Sequence, residues 1–337
     1  MQNTCDAPLI AITMGDINGI GPEILAKSFA HGELFRECRP VVFGSPEVYD
    51  GVRANSNAPR PVRVSSVEEA RGIAGALPFM DCGADVPPCR PGVLDPDAGR
   101  CAMTWLERAV DHAIAGTVAA VVTCPINKEG IHRAGYTIQG HTDYIAERTG
   151  SPEWRMCLFA GPMRIVHITG HMSLRQALDH VRAPRIAESI RIGHRALRHL
   201  GMASPRIAVA GLNPHAGEAG AFGDEERTEI RPAVETCAAE GIDCTGPHSP
   251  DAVFARMREG EFDMVIALYH DQGHIPLKLI AMDEGVNVTL GIPIVRTSVD
   301  HGTAYDIAGT GRAREHSLRA AIALAERMAM CRGEAGK

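Results

Sequence analysis

Three short segments carry the residues with the most chemistry to offer: Thr169-Gly170-His171, Asn213-Pro214-His215 and His270-Asp271-Gln272-Gly273-His274. Each follows an apolar run of strand length, over 164–168, 206–212 and 264–269. In an open parallel sheet the carboxyl ends of the strands face one crevice, so imidazoles placed there can converge. Three neutral imidazoles on one point make a metal site. Zn²⁺, Co²⁺ or Mn²⁺ suit such a set, whereas Mg²⁺ prefers more oxygen. The competing reading is chance, because a chain with 15 histidines places some of them in loops. Against chance stands the repetition of one topological position, beside Gly, Asn and Asp rather than solvated Lys and Glu.

Other strand ends add groups suited to anions. Met14-Gly15-Asp16-Ile17-Asn18-Gly19-Ile20-Gly21-Pro22-Glu23 closes a first strand and opens a helix, whose N-terminal amides favour negative charge. The spacing is not G-x-G-x-x-G, which disfavours a Rossmann dinucleotide site. Thr123-Cys124-Pro125-Ile126-Asn127-Lys128 ends another strand, and Gln139-Gly140-His141-Thr142-Asp143 follows it. Hydroxyl, amide and cationic groups there suit a carboxylate or phosphate, although Thr142 and Asp143 equally fit a helix N-cap and a first-turn acid. Arg296 lies between Ile292-Pro293-Ile294-Val295 and Thr297-Ser298, where an unpaired guanidinium would be costly and a bound anion would satisfy it. Cys124 reads as a buried structural thiol, since no partnered base can be assigned to it.

The elements that must hold these groups follow from periodicity. Continuous apolar runs over Leu9–Thr13, 41–43, 118–123, 164–168, 206–212, 264–269 and Val286–Leu290 mark strands buried on both faces of a largely parallel sheet. Helical patterns over 22–30, 103–115, 185–200 and 225–240 alternate with them, which predicts a doubly wound α/β fold. Residues 45–98 read as short elements and a surface loop rather than a domain. The 337 residues suffice for two domains. A net charge of -7 with interspersed signs argues against nucleic acid as a partner. Ten cysteines without a C-x-x-C pair read as reduced thiols of a cytoplasmic protein. No N-terminal export signal is expected, and the longest uncharged stretch, 113–127, is too short for a bilayer.

In order along nearly the whole chain, these segments resemble the 4-hydroxythreonine-4-phosphate dehydrogenase (PdxA) family. The resemblance is carried by the 14–23 segment, Pro125-Ile126-Asn127-Lys128, Gly140-His141-Thr142 and Gly211-Leu212-Asn213-Pro214-His215-Ala216-Gly217-Glu218. Tyr269-His270-Asp271-Gln272-Gly273 and Arg296-Thr297-Ser298-Val299-Asp300-His301-Gly302-Thr303-Ala304 complete it. The first block departs from the usual pattern at Ile17-Asn18, where Pro-Ala is common, without loss of a reactive group.

The resemblance implies a homodimeric, NAD-using enzyme dependent on a divalent metal (Zn, Co, Mn or Mg). Its fold would be that of the isocitrate and isopropylmalate dehydrogenases, with the active site in an interdomain cleft. Residues 1–140 with 300–337 would form one α/β domain, and 141–299 a second that carries the dimer interface. His171, His215 and His270 would bind the metal, and His141, Thr142, Lys278, Asn287 and Arg296 the substrate. Lys278 or Asp271 would shuttle protons. The segment from His301 through Gly302 and Asp306 to Gly309 resembles an adenine-binding loop.

The implied reaction oxidises the C3 hydroxyl of a four-carbon acid 4-phosphate and then releases carbon dioxide. Within the family, His274-Ile275-Pro276-Leu277-Lys278 and Phe222-Gly223-Asp224-Glu225-Glu226 look closer to the catabolic subgroup. That favours D-threonate or D-erythronate 4-phosphate over 4-phosphooxy-L-threonine of pyridoxal phosphate synthesis. A three-His metal hydrolase or a sugar-phosphate binding protein is the reading from a different class.

Overall fold

The computed structural model describes residues 7–54 and 56–335. Cys5 and the rest of the N-terminal stretch read above for an export signal lie outside them. The described residues form β1 (Leu9–Thr13), β2 (Arg39–Phe43), β3 (Pro61–Val64), β4 (Leu77–Met80), β5 (Ala120–Thr123) and β6 (Arg155–Ala160). They continue with β7 (Met163–His167), β8 (Ile207–Ala210), β9 (Cys244–His248), β10 (Met264–Ala267), β11 (Val286–Leu290) and β12 (Val295–Val299). The chain divides into two compact units, one running to Pro152 and resuming over Ile292–Gly333, the other Glu153–Gly291.

In the first unit the strand order is β3-β4-β2-β1-β5-β12 and every pairing is parallel. Ile10, Ala11 and Ile12 are fully buried, as a strand covered on both faces requires. Thr13 pairs with Phe43 and with Thr123, and Ser298 with Thr123, so the carboxyl ends of β2, β1, β5 and β12 line up. The helix Pro96–Ile114 covers the sheet with Trp105 and Leu106. It begins earlier than the 103 expected, because Asp95 caps it by accepting from the Asp97 N–H and Pro96 occupies the first turn. Residues 45–98 contribute β3, β4 and two short helices, Pro46–Arg53 and Val67–Arg71, to this unit and form no domain of their own.

In the second unit the order is β11-β6-β7-β10-β8-β9. β6 runs antiparallel to both its neighbours, while β7, β10, β8 and β9 are parallel. Ile165, Val265, Phe262 and Leu277 belong to its buried core. β6 escaped the sequence reading although all six residues are buried, because it opens with Arg155. That guanidinium is satisfied internally by Ser189 Oγ (2.8 Å), the Trp154 carbonyl (2.8 Å) and Glu153 (3.0 Å).

The unit boundaries correct the expected ones. Residues 141–152 and 292–299 belong to the first unit, since β12 is hydrogen-bonded in register to β5. Among the described residues all nine cysteines are free thiols, and no helix is long and apolar enough to cross a membrane.

Candidate active site

The three histidine-bearing strand ends of the second unit are neighbours in its sheet, in the order β7, β10, β8. Side chains stitch them together. Thr169 Oγ1 donates to the Leu268 carbonyl (3.1 Å), joining the end of β7 to that of β10. Gln272, buried, accepts from the Leu268 N–H and donates to the Gly211 carbonyl, both at 2.7 Å, joining β10 to β8. Beyond Gly211, Glu226 Oε1 accepts from the N–H groups of Leu212 (2.8 Å) and Asn213 (2.7 Å). Burial would raise the Glu226 pKa, but these bonds and those from the Asn213 side chain hold it below the usual carboxylate range. Neither Gln272 nor Glu226 was singled out in sequence. Their signal was only that a polar residue near each strand end must satisfy backbone that leaves the ladder.

His171 and His270 come together, with ring centroids 5.1 Å apart. His270 Nδ1 donates to Asp271 Oδ1 at 2.7 Å, and this contact lowers the Asp271 pKa, so the carboxylate is an acceptor. The imidazole proton therefore sits on Nδ1 and the Nε2 lone pair remains for a ligand, the usual second partner of a metal-binding histidine. Asp271 is thus engaged in orienting His270. His215 lies in a different backbone environment. Residues His215, Ala216, Glu218 and Ala219 all have positive φ, between 44° and 56°, a conformation costing roughly 1–2 kcal/mol for each non-glycine residue. Among the described residues no three His, Cys, Asp or Glu side chains are gathered closely enough to hold a metal ion. The three expected ligands follow the carboxyl ends of neighbouring strands, and His171 and His270 adjoin each other there.

Two further substrate candidates belong to this unit. Lys278 lies two turns after His270 in the helix His270–Ala281 and is half-buried. Asn287 projects from β11 with its Oδ1 buried and without a hydrogen-bond partner, an acceptor ready for a donor.

In the first unit Arg296, 2 % exposed, lies on β12. Its guanidinium donates to Thr123 Oγ1 (2.7 Å) on β5 and to Thr142 Oγ1 (3.3 Å). Burial lowers its pKa from 12.5 to about 9. Both of these contacts are with threonine hydroxyls, which position the guanidinium. The helix His141–Arg148 is capped by Gly140, with Thr142 inside its first turn, which excludes the reading of Thr142 as the cap. His141 has its Nε2 buried without a hydrogen-bond partner. Burial first, and the Arg296 charge second, hold its pKa well below 6.5, so the ring is neutral. Arg296, Thr142 and His141 together form a donor set for an anion. Cys124, fully buried with its pKa pushed up to about 12, is a structural thiol.

Residues 301–309 pack on the loop after β1. The Thr303 carbonyl accepts from the Ile20 N–H (3.0 Å), and a Cβ on Gly19 would meet Thr303 at 2.9 Å. Tyr305 donates its hydroxyl to Asp16 Oδ2 at 2.5 Å. Burial raises the Asp16 pKa, opposed by that bond and the Asn18 N–H. Asp306, His301 and Gly302 are exposed. Asn18, at the position where the family pattern commonly has Ala, ties down a further segment. Its Nδ2 donates to the Val93 carbonyl (2.9 Å) and its Oδ1 accepts from the Arg90 N–H (2.6 Å). The Asp16–Tyr305 contact and the Asn18 anchor were not legible in sequence, because their partners lie far along the chain.

Residues 36–325 match the family described as pyridoxal phosphate biosynthetic protein PdxA. The D-threonate 4-phosphate dehydrogenase of Cupriavidus necator is 44 % identical over 318 residues, covering 94 % of this chain and 95 % of that protein. The 4-hydroxythreonine-4-phosphate dehydrogenase of Desulfosudis oleivorans is 44 % identical over 331 residues, covering 97 % and 98 %. A crystal structure of the 4-hydroxythreonine-4-phosphate dehydrogenase from Klebsiella pneumoniae superposes with a TM-score of 0.85 at 43 % identity, covering 96 % of this chain and all of that one. With the ordered blocks and the fold in agreement, the chain belongs to the PdxA family.

Proposed function

We propose that this chain is an NAD-dependent decarboxylating dehydrogenase of a four-carbon 3-hydroxy acid 4-phosphate, with D-threonate or D-erythronate 4-phosphate preferred. The observation that carries this reading is the buried Arg296, held by Thr123 and Thr142 beside neutral His141. Such a cation, taken out of water and met by hydroxyls, suits a phosphate or carboxylate of the substrate. The names of the relatives, which include both D-threonate 4-phosphate and 4-hydroxythreonine-4-phosphate dehydrogenases, support the substrate class.

The chemistry divides among the side chains. Arg296, Thr142 and His141 hold the anionic group and Asn287 Oδ1 accepts from a substrate donor. Oxidation moves a hydride from C3 to the nicotinamide and the hydroxyl proton to a base. Cleavage of the C1–C2 bond then leaves an enolate that is protonated at C2, for which Lys278 is the proposed proton carrier. A divalent ion, for which His171 and His270 are the ligands that adjoin each other and His215 the third expected one, would supply positive charge for the alkoxide and the enolate. Asp271 keeps His270 in the tautomer this requires. Residues 301–309, with Asp306, are the proposed adenine contact. A homodimer is supported by the apolar side chains Ile275, Leu279, Ile280 and Met282, which the helix His270–Ala281 and its C-cap leave exposed.

The test is NADH formation across four-carbon acid phosphates, with and without chelator. The stopped mixture is then assayed for dihydroxyacetone phosphate with glycerol-phosphate dehydrogenase. Metal-dependent NADH formation and a dihydroxyacetone phosphate signal from the hydroxy acids are expected. Turnover of the amino acid phosphate alone would assign the chain to the vitamin reaction instead. No NADH from any of them would leave the hydrolase or binding-protein reading.

A further inference from the structure

Gly273 lies in the first turn of the helix His270–Ala281, where a Cβ would stand 2.3 Å from Nε2 of His167 and 2.7 Å from Cγ2 of Ile165. The absent side chain makes room for an imidazole at the end of β7 that is only 2 % exposed. His274, 8 % exposed, meets it, with Nδ1 3.1 Å from His167 Nε2 and 3.0 Å from the His270 carbonyl oxygen. A carbonyl oxygen only accepts, so His274 carries its proton on Nδ1 and His167 Nε2 is the acceptor of the pair. A neutral His167 then bears its own proton on Nδ1.

His274 also lies flat on His270, with centroids 3.6 Å apart and planes within 11°. Their spacing of four residues puts both on one helix face. We propose that His274 is a positioning residue for His270: locked by His167 and by the His270 carbonyl, its ring fixes the His270 imidazole by stacking. Asp271 restrains the same imidazole through Nδ1. His270 Nε2 is thereby presented in one orientation. The role rests on the reading of His270 as a ligand of a divalent ion.

The test uses the full chain stripped of metal and titrated with Co²⁺, read by visible absorption. His274→Leu is expected to weaken Co²⁺ about 10–100-fold, the range for removal of a group that orients a metal ligand. His274→Phe keeps a flat ring and is expected to stay within about tenfold of wild type by the same scale. Two-bond ¹H–¹⁵N spectra of the metal-free wild type are expected to show His274 as the Nδ1–H tautomer. Wild-type affinity in His274→Leu, a Phe variant as weak as Leu, or an Nε2–H form of His274 would overturn the proposal. Should His274→Leu fail to fold, the Phe variant and the tautomer decide. If wild type binds no Co²⁺, the reading of His270 as a ligand fails, and the tautomer alone decides the place of His274.

Discussion

Replacing Arg296 with Met separates a binding cation from a structural one. Burial lowers the Arg296 pKa from 12.5 to about 9, and at 1.36 kcal/mol per unit that drop reflects a desolvation cost on the order of 4–5 kcal/mol. The folded pKa lies below the unfolded one, so the cost is fully present at neutral pH and is relieved only as pH rises above about 9. Met fills similar space without the charge. Thr123 and Thr142 lose a hydrogen-bond partner, at about 1 kcal/mol each, so the fold is expected to be as stable as wild type or slightly more so. The substrate, by contrast, loses its charge-assisted partner, which costs about 2–5 kcal/mol. That is roughly 30- to several-thousand-fold in KM. Thermal unfolding with and without inorganic phosphate reads the first effect, and initial rates with substrate and NAD varied separately read the second. Phosphate should raise the wild-type Tm and leave that of Arg296→Met unchanged. A variant that unfolds about 5 °C or more below wild type, a drop worth roughly 1 kcal/mol or more, with equal rises in both KM values, would refute the reasoning and make Arg296 a packing residue.

Gln272→Leu should destabilise the chain by about 2–5 kcal/mol in urea unfolding, because it strands the buried Leu268 N–H and Gly211 carbonyl; a loss under 1 kcal/mol would mean that water replaces the amide. His141 stays neutral in the fold but takes a proton when unfolded below about pH 6.5, so its contribution is lost at about 1.4 kcal/mol per pH unit as pH falls through that range. His141→Phe should accordingly lose stability less steeply than wild type between about pH 6.5 and 5, and parallel slopes would count against a buried neutral ring. Asp306→Ala should raise the NAD requirement without changing bound metal, measured by steady-state kinetics and elemental analysis; unchanged NAD dependence would remove residues 301–309 from the cofactor site.

The strand runs Leu9–Thr13 and Val286–Leu290 were read with the bounds the structure has: the first is a central strand buried on both faces and apolar up to Thr13, while the second carries Asn287 and Thr289 between three buried apolar residues. The three histidine segments were legible for the same reason: each interrupts such a run at its carboxyl end. That β7, β10 and β8 are neighbours required the sheet order, which no local pattern carries. β6 was missed because Arg155 reads as surface until Ser189, from a distant helix, satisfies it. The domain limits shifted because β12 pairs with β5, across more than half the chain.

Sequence alone therefore determined the α/β class, the residue types at the strand ends and the family blocks, all of which depend on neighbours within a few positions. Tertiary structure decided which of those residues meet. It put Arg296 on Thr123 and Thr142, His270 on Asp271 and His274, and Tyr305 on Asp16. Hydrogen bonds and burial between segments far apart in sequence depend on how the sheet is threaded, and that follows from the packing of the whole chain rather than from any window of it.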